Sequence, residues 1–221
     1  MKILFLSIVL SILSLSSLMA QDVSIRVSVI QSMADSAVPE QKMEALRSIE
    51  KILDENSMGS EEDNIINILS SLSSEGITNL SLDMGHILND LPRIRLEAVR
   101  LLGKTGSPKA MNPLAKVVRY DDNITVLSVA SLTAARLESA DWSPLTPYFY
   151  QILKIQKQIY QNNQLIQDVL TAIGIIADRD ETFLNDPIIL EGIIYVAESE
   201  LGLSKKTRNL AIDLSTRQAE K

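Results

Sequence analysis

Cysteine is absent from the 221-residue chain, and histidine occurs once, at His86. Those two shortages exclude a disulfide framework, a zinc cluster, a thiol nucleophile and a lipid attached to an N-terminal cysteine. A Ser–His–Asp arrangement would have to use His86, and no serine sits in the strained strand-to-helix turn that marks the hydrolase version. No glycine-rich phosphate cradle occurs. Asp178-Arg-Asp180-Glu181 lacks the turn glycine and distal glutamate of a calcium loop. Glu61-Glu62-Asp63 is better read as an acidic first helical turn, where negative charge meets the helix dipole. The expectation is therefore no catalytic, cofactor-binding or metal-binding residue. Positive charge is also short: the net charge of −7 makes nucleic acid and anionic lipid poor partners. Strand-like alternation is nearly missing, which leaves an all-α fold.

The N-terminus does carry a pattern. Met1–Ala20 has one early positive charge at Lys2, an apolar stretch from Ile3 to Leu15, a serine-rich exit and Ala20 before polar Gln21-Asp22. That is the layout of a secretory signal peptide, and its apolar part falls short of the roughly twenty residues that span a bilayer. Leu18 is an imperfect small residue at the third position before the cut, so an uncleaved anchor is the competing reading. The expected organisation is a signal peptide over 1–20 and one helical repeat domain over 21–221. The domain should be periplasmic or secreted, hold no further transmembrane span and rely on packing alone for stability.

Apolar residues recur at helical spacing along nearly all of the remainder. They predict helices at about 22–36, 39–55, 61–74, 79–89, 92–105, 108–119, 123–138, 145–161, 164–178, 187–201 and 204–218. Pro39, Pro92, Pro108 and Pro144 fall where a first turn tolerates a residue without an N–H. Ser107 and Ser143 stand where a hydroxyl can cap the following helix.

Between Asp90 and Leu137 one pattern is written twice at an offset of thirty-two positions. The first copy runs Asp90, Ile94, Arg95, Ala98, Leu102, Gly103; the second runs Asp122, Val126, Leu127, Ala130, Ala134, Ala135. Repetition at that period signals a solenoid of helical pairs, because one pair cannot bury its own apolar face and stacks on a neighbour. The first copy, continued by Ala110, Pro113, Leu114, Val117 and Val118, resembles the HEAT family, in particular the short repeats of phycobilisome-lyase-like proteins. The resemblance implies an α-α superhelix. It also implies an ion pair between the helix arginine and the turn, which the second copy should lack because Leu127 replaces the arginine. Weaker copies occur at Gln41–Arg47, Ala172–Gly174 and Thr207–Ala211. Ala45, Ala98, Ala130 and Ala211 are expected where successive first helices approach closely.

Charge is segregated. From Ile52 to Pro92 there is no Lys or Arg, whereas Arg93, Arg95, Arg100, Lys104, Lys109, Lys116 and Arg119 follow with only Glu97 opposing them. Either the two blocks neutralise each other across a repeat boundary, or they form a bipolar surface that steers a protein partner. Trp142, Tyr148, Phe149, Tyr150 and Tyr160 form an aromatic knot beside a lengthened connection. Such rings serve equally as core or as binding hot spots; Tyr148 and Phe149 lean to core, and Trp142 is a candidate for exposure. These features point to an exported, non-catalytic HEAT-like scaffold for a protein of unknown identity. Its candidate contacts are Arg93, Arg100, Lys104, Lys116, Arg119, Trp142 and Tyr150. The rival readings are an accessory subunit built into an envelope assembly, a surface adhesin, and a secreted lyase or hydrolase using an unrecognised site.

Overall fold

Small polar residues and prolines open most of the helices, as the sequence leads one to expect. In the computed structural model, which describes residues 23–78, 80–138, 141–156, 162–198 and 202–219, the first helix, α1, runs over 23–34. It is followed by α2 (Pro39–Asp54), α3 (Glu62–Ser73), α4 (Pro92–Lys104), α5 (Met111–Tyr120) and α6 (Ile124–Arg136). The remainder are α7 (Thr146–Gln151), α8 (Asn163–Ala177), α9 (Pro187–Ala197) and α10 (Lys205–Ala219). The expected signal peptide lies outside the described residues, as does the last part of the helix expected over 145–161. Before that limit, α7 passes into a π-helical turn at Ile152–Gln156.

Local chemistry explains the boundaries. Asn123 Oδ1 accepts hydrogen bonds from the Thr125 and Val126 amides at the head of α6, and Asn162 does the same for Leu165 at the head of α8. Asp186 caps α9 immediately before Pro187. Ser107 accepts from the Lys109 amide at 3.3 Å, as expected. Ser143 does not act as a cap: its own amide donates to Asp141 Oδ1 at 3.0 Å, so the aspartate two residues earlier takes that role.

The helices pack in two rows. α2 lies against α4, α4 against α6, α6 against α8 and α8 against α10; α3 lies against α5, α5 against α7 and α7 against α9. One continuous apolar core runs between the rows. Ala45, Ala98, Ala130, Ala172 and Ala211 are all fully buried, one on each helix of the first row. The small side chain lets neighbouring helices come close while Leu and Ile fill the space beside them. The thirty-two-position offset is kept by the helices themselves, since Pro92 and Ile124 open α4 and α6, and Lys104 and Arg136 close them.

One expected helix is something else. Residues 79–89 were expected to be helical, and the described part of that stretch is a β-hairpin, β1 (Leu82–Asp83) paired antiparallel with β2 (His86–Ile87). Its two-residue loop places Met84 at φ 48° and Gly85 at φ 84°. Positive φ at both central positions is the turn whose twist matches a hairpin, and Gly85 supplies one of them without strain. Upstream, Gly76 has φ +73° and a Cβ there would stand 2.1 Å from the Asn89 carbonyl oxygen, so the strap closes at a point only glycine can occupy.

The base of the hairpin is tied to the row of first helices by a buried polar network. The Arg95 side chain is fully buried and donates from Nη1 to Asp90 Oδ1 (2.7 Å) and to the Glu75 carbonyl (3.1 Å). It also grips Asp121 with two bonds, Nε to Oδ2 at 2.8 Å and Nη2 to Oδ1 at 3.1 Å. Lys42 donates to Glu75 Oε2 at 3.1 Å and to the Ala34 carbonyl at 2.8 Å, and Asn89 donates to Glu75 Oε1 at 2.8 Å. Desolvation opposes the charged guanidinium, but the hydrogen bonds to Asp121 and Asp90 overcome it and hold Arg95 above the usual arginine value. Burial pushes the Asp121 carboxyl above the ordinary range against the pull of Arg95. The arginine thus reaches from its own turn to the turn of the following helix. Leu127, at the equivalent position of α6, is buried among apolar residues instead.

Candidate functional site

The two charge blocks meet each other. Lys104 on α4 binds Glu50 (3.2 Å) and Asp54 (2.7 Å) on α2, and Lys109 binds Asp63 (2.5 Å) and Glu62 (3.5 Å) at the start of α3. The carboxylate of Asp54 holds the Lys104 ammonium above its ordinary value, and that of Asp63 does so for Lys109. Arg100 lies 3.7 Å from Glu97 on its own helix. Much of the apparent bipolarity of the sequence is therefore consumed by contacts between neighbouring helix pairs.

Three of the basic candidates keep their charge uncompensated. Among the described residues, Arg93, Lys116 and Arg119 have no carboxylate within 4 Å, and they do not share a surface. Arg93 sits at the first turn of α4, in a cleft between the starts of α2 and α4. Lys116 and Arg119 belong to α5, in the other row. Lys116 lines a groove of about 520 Å³ between α3 and α5 with Asp63, Asn67, Ser70, Lys109 and Asn112. Arg100 and Lys104 line a third cleft, of about 380 Å³, between α4 and α6.

The aromatic candidates divide as well. Trp142, a candidate for exposure, is buried instead: it is 7% exposed, packs in the core and donates from Nε1 to the Ala134 carbonyl at 3.3 Å. The connection after α6 is three residues longer than that after α4, and the Trp142 indole lies against the end of α6. A buried ring offers no contact to a partner, so Trp142 leaves the candidate surface. Phe149 is core, as expected, and Tyr148 is half-buried.

Tyr150 stands at the centre of a polar cluster that joins α7 to α9. Its hydroxyl donates to Glu191 Oε1 at 2.9 Å and accepts from Lys154 Nζ at 2.6 Å, while Lys154 also donates to Glu191 at 2.8 Å. Lys154 stands 4.9 Å from the Tyr150 ring centre and 6.0 Å from that of Tyr195. Hydrogen bonds from Lys154 and Tyr150 hold the Glu191 carboxyl below its usual range, and Glu191 and Tyr150 hold Lys154 well above that of lysine.

A second cation–ring contact joins α5 to α7. The Arg119 guanidinium is 4.6 Å from the Tyr120 ring centre and 5.5 Å from that of Tyr148, with Tyr120 46% exposed. Along the second row the outer surface therefore changes from the polar groove at Asn67, Ser70, Asn112 and Lys116 to Arg119 with its two tyrosines. It ends in the neutralised Lys154–Glu191 cluster. Lys154, Glu191 and Tyr195 were not among the sequence candidates. The four-residue spacings Tyr150–Lys154 and Glu191–Tyr195 were visible, but that the two pairs face each other depends on how α7 and α9 pack.

His86 lies on the exposed hairpin and lines none of these three clefts. Among the described residues there is no group of three or more His, Asp or Glu placed to hold a metal ion, and no helix long and apolar enough to cross a membrane. No protein-family model matches the chain, and no curated protein is significantly similar to it.

Proposed function

We propose that the protein is an exported, non-catalytic scaffold, a HEAT-like solenoid that binds another protein of the cell envelope through the outer surface of its second helix row. The observation that carries this reading is the uncompensated Arg119 guanidinium over exposed Tyr120 and half-buried Tyr148, one turn along α5 from uncompensated Lys116 in the α3–α5 groove. Arginine and tyrosine offer large contact area and directional hydrogen bonding, and both are enriched where binding energy concentrates. The charge that remains after internal pairing favours a segment carrying carboxylates. The ordered rows of helices, with at least one fully buried alanine on each first-row helix, support the solenoid, and the layout of Met1–Ala20 supports export.

The test is a photo-crosslinking residue placed singly at Tyr120 and Gln151 on the second row, and at Glu44 and Thr125 on the first, in cells that make the protein. Adducts should form from the second-row positions and disappear when Lys116→Glu and Arg119→Glu are introduced. Equal yields from both rows, insensitive to those reversals, would remove the assignment.

A further inference from the structure

The loop of the hairpin between α3 and α4 holds a residue that its backbone disfavours. Met84 has φ 48°, in the left-handed region where a side chain crowds the neighbouring carbonyl. The other described non-glycine residue with positive φ is Asn56, a type whose short polar side chain tolerates that conformation; methionine has no such compensation. A two-residue loop with positive φ at both positions favours Asn-Gly or Gly-Gly, so the demands of the turn do not account for a methionine there. Packing does not account for it either, because Met84 is 96% exposed and fills no part of the core.

Among the described residues the other methionines are shielded. Met111 is 5% exposed, and Met33, Met43 and Met58 are half-buried against the core. With no cysteine in the chain, methionine carries its only sulfur, and the single tryptophan, Trp142, is buried. An oxidant in solution thus meets one described thioether that stands fully open. The strap holds it there: Asn89 Oδ1 accepts from the Ser81 amide at 2.8 Å, the Leu88 amide donates to the Ser81 carbonyl at 2.8 Å, and Asn89 Nδ2 donates to buried Glu75. The register pairs Leu82 with Ile87 and Asp83 with His86, so the two aliphatic side chains share one face of the hairpin and the two polar ones the other. Leu82 and Ile87 are both exposed, which leaves Met84 at the tip of an apolar surface.

We propose that Met84 is a site of oxidative modification, at which a peroxide converts the thioether to the sulfoxide and turns the hairpin tip from apolar to polar without disturbing the fold. A sulfur lone pair attacks one peroxide oxygen, and the O–O bond breaks as the S–O bond forms. The departing hydroxide takes the proton of the transferred oxygen and leaves as water, so the sulfur loses the two electrons that the peroxide gains. Access to the sulfur sets which methionine reacts first. The same product at Met111 would place a strongly polar S–O group in the core, where it costs stability. At Met84 that group faces water, and only the character of the surface changes. The hairpin lies apart from the second-row surface around Arg119, so the inference stands or falls independently of the proposed function.

Peptide mass mapping of the purified protein after brief exposure to dilute hydrogen peroxide tests it. In the folded protein Met84 should gain its oxygen several-fold faster than Met33, Met43, Met58 or Met111, and in denaturant the rates should converge. The singly oxidised protein should elute earlier from a phenyl column than the untreated one, while its thermal melt followed by circular dichroism stays the same. Met84→Leu keeps an apolar tip without a thioether, so its elution should not move under the same treatment. Met84→Asn suits the turn and should melt no lower than the unaltered protein. Oxidation shared evenly among these methionines in the folded protein, or a singly oxidised form with unshifted elution or a lowered melt, would overturn the inference. So would an equal shift in the Met84→Leu protein, or a lower melt for Met84→Asn, which would show that methionine is kept at the turn for stability.

Discussion

The residue on which the most structure hangs is Arg95, because it is fully buried and each of its hydrogen-bonding nitrogens meets an oxygen. Such a pair adds little net stability over an apolar replacement, since both charges lose water, but removing one partner leaves a charge without compensation. Asp121→Ala should therefore cost about 3–5 kcal/mol in a denaturant titration. Asp122→Ala should stay within about 0.5 kcal/mol, because Asp122 lies 3.9 Å away with its side chain 95% exposed. Equal costs at the two positions would show that the guanidinium is shared between them. The sequence pointed to Arg95 and Asp90, five residues apart. It did not distinguish Asp121 from Asp122, because the thirty-two-position offset aligns Asp122 with Asp90, whereas the bidentate geometry depends on how the turn before α6 is wound. Trp142 failed for a similar reason: an aromatic on a connection reads the same whether the loop turns it inward or outward.

At the scale of the element, Ala98 shows why the first row can form at all. α4 has α2 on one side and α6 on the other, and Ala98 is fully buried. Ala98→Leu should overpack that layer and cost about 1–3 kcal/mol, read as a lowered melting temperature. An unchanged melt would mean that the row has slack at this position. Helices were legible because their apolar period is written over ten or more residues, and the starts of α2 and α4 because Pro39 and Pro92 admit few other readings. The hairpin was not. Leu80, Met84, Ile87 and Leu88 fit a helical face on spacing alone, and the decision rests on two backbone sites, the Met84-Gly85 turn and the Gly76 closure. Neither leaves a periodic trace. The surplus of exposed apolar residues over 80–88 is itself a consequence: a helix there would have had a core to face, and the strap has none.

Taken as a whole, the molecule couples its parts mainly through neighbours, and that predicts how stability is distributed along it. α4, α6 and α8 each have a first-row helix on both sides, α10 has one on a single side, and α1 adds buried Val27, Ile30 and Ala34 to the core, with Val23 and Met33 half-buried against it. Opening α10 exposes the buried face of Ala211 and Leu214, while opening α6 exposes Val126, Leu127, Ala130, Ala134 and Ala135 together with the helices packed on them. Local opening free energies scale with the apolar surface so exposed. Native-state hydrogen exchange should therefore show the slowest amides in α6 and the adjoining faces of α4 and α8, with protection falling toward α1 and α10. The Arg95 network refines the expectation, because it ties α4 both to the strap closed at Gly76 and to the turn before α6. Asp121→Ala should accelerate exchange in α3 and α4 more than in α8 and α9. Uniform protection from α2 to α10, with the variant lowering all of it equally, would instead make the molecule a single cooperative body in which the order of the helices along the rows carries no energetic meaning.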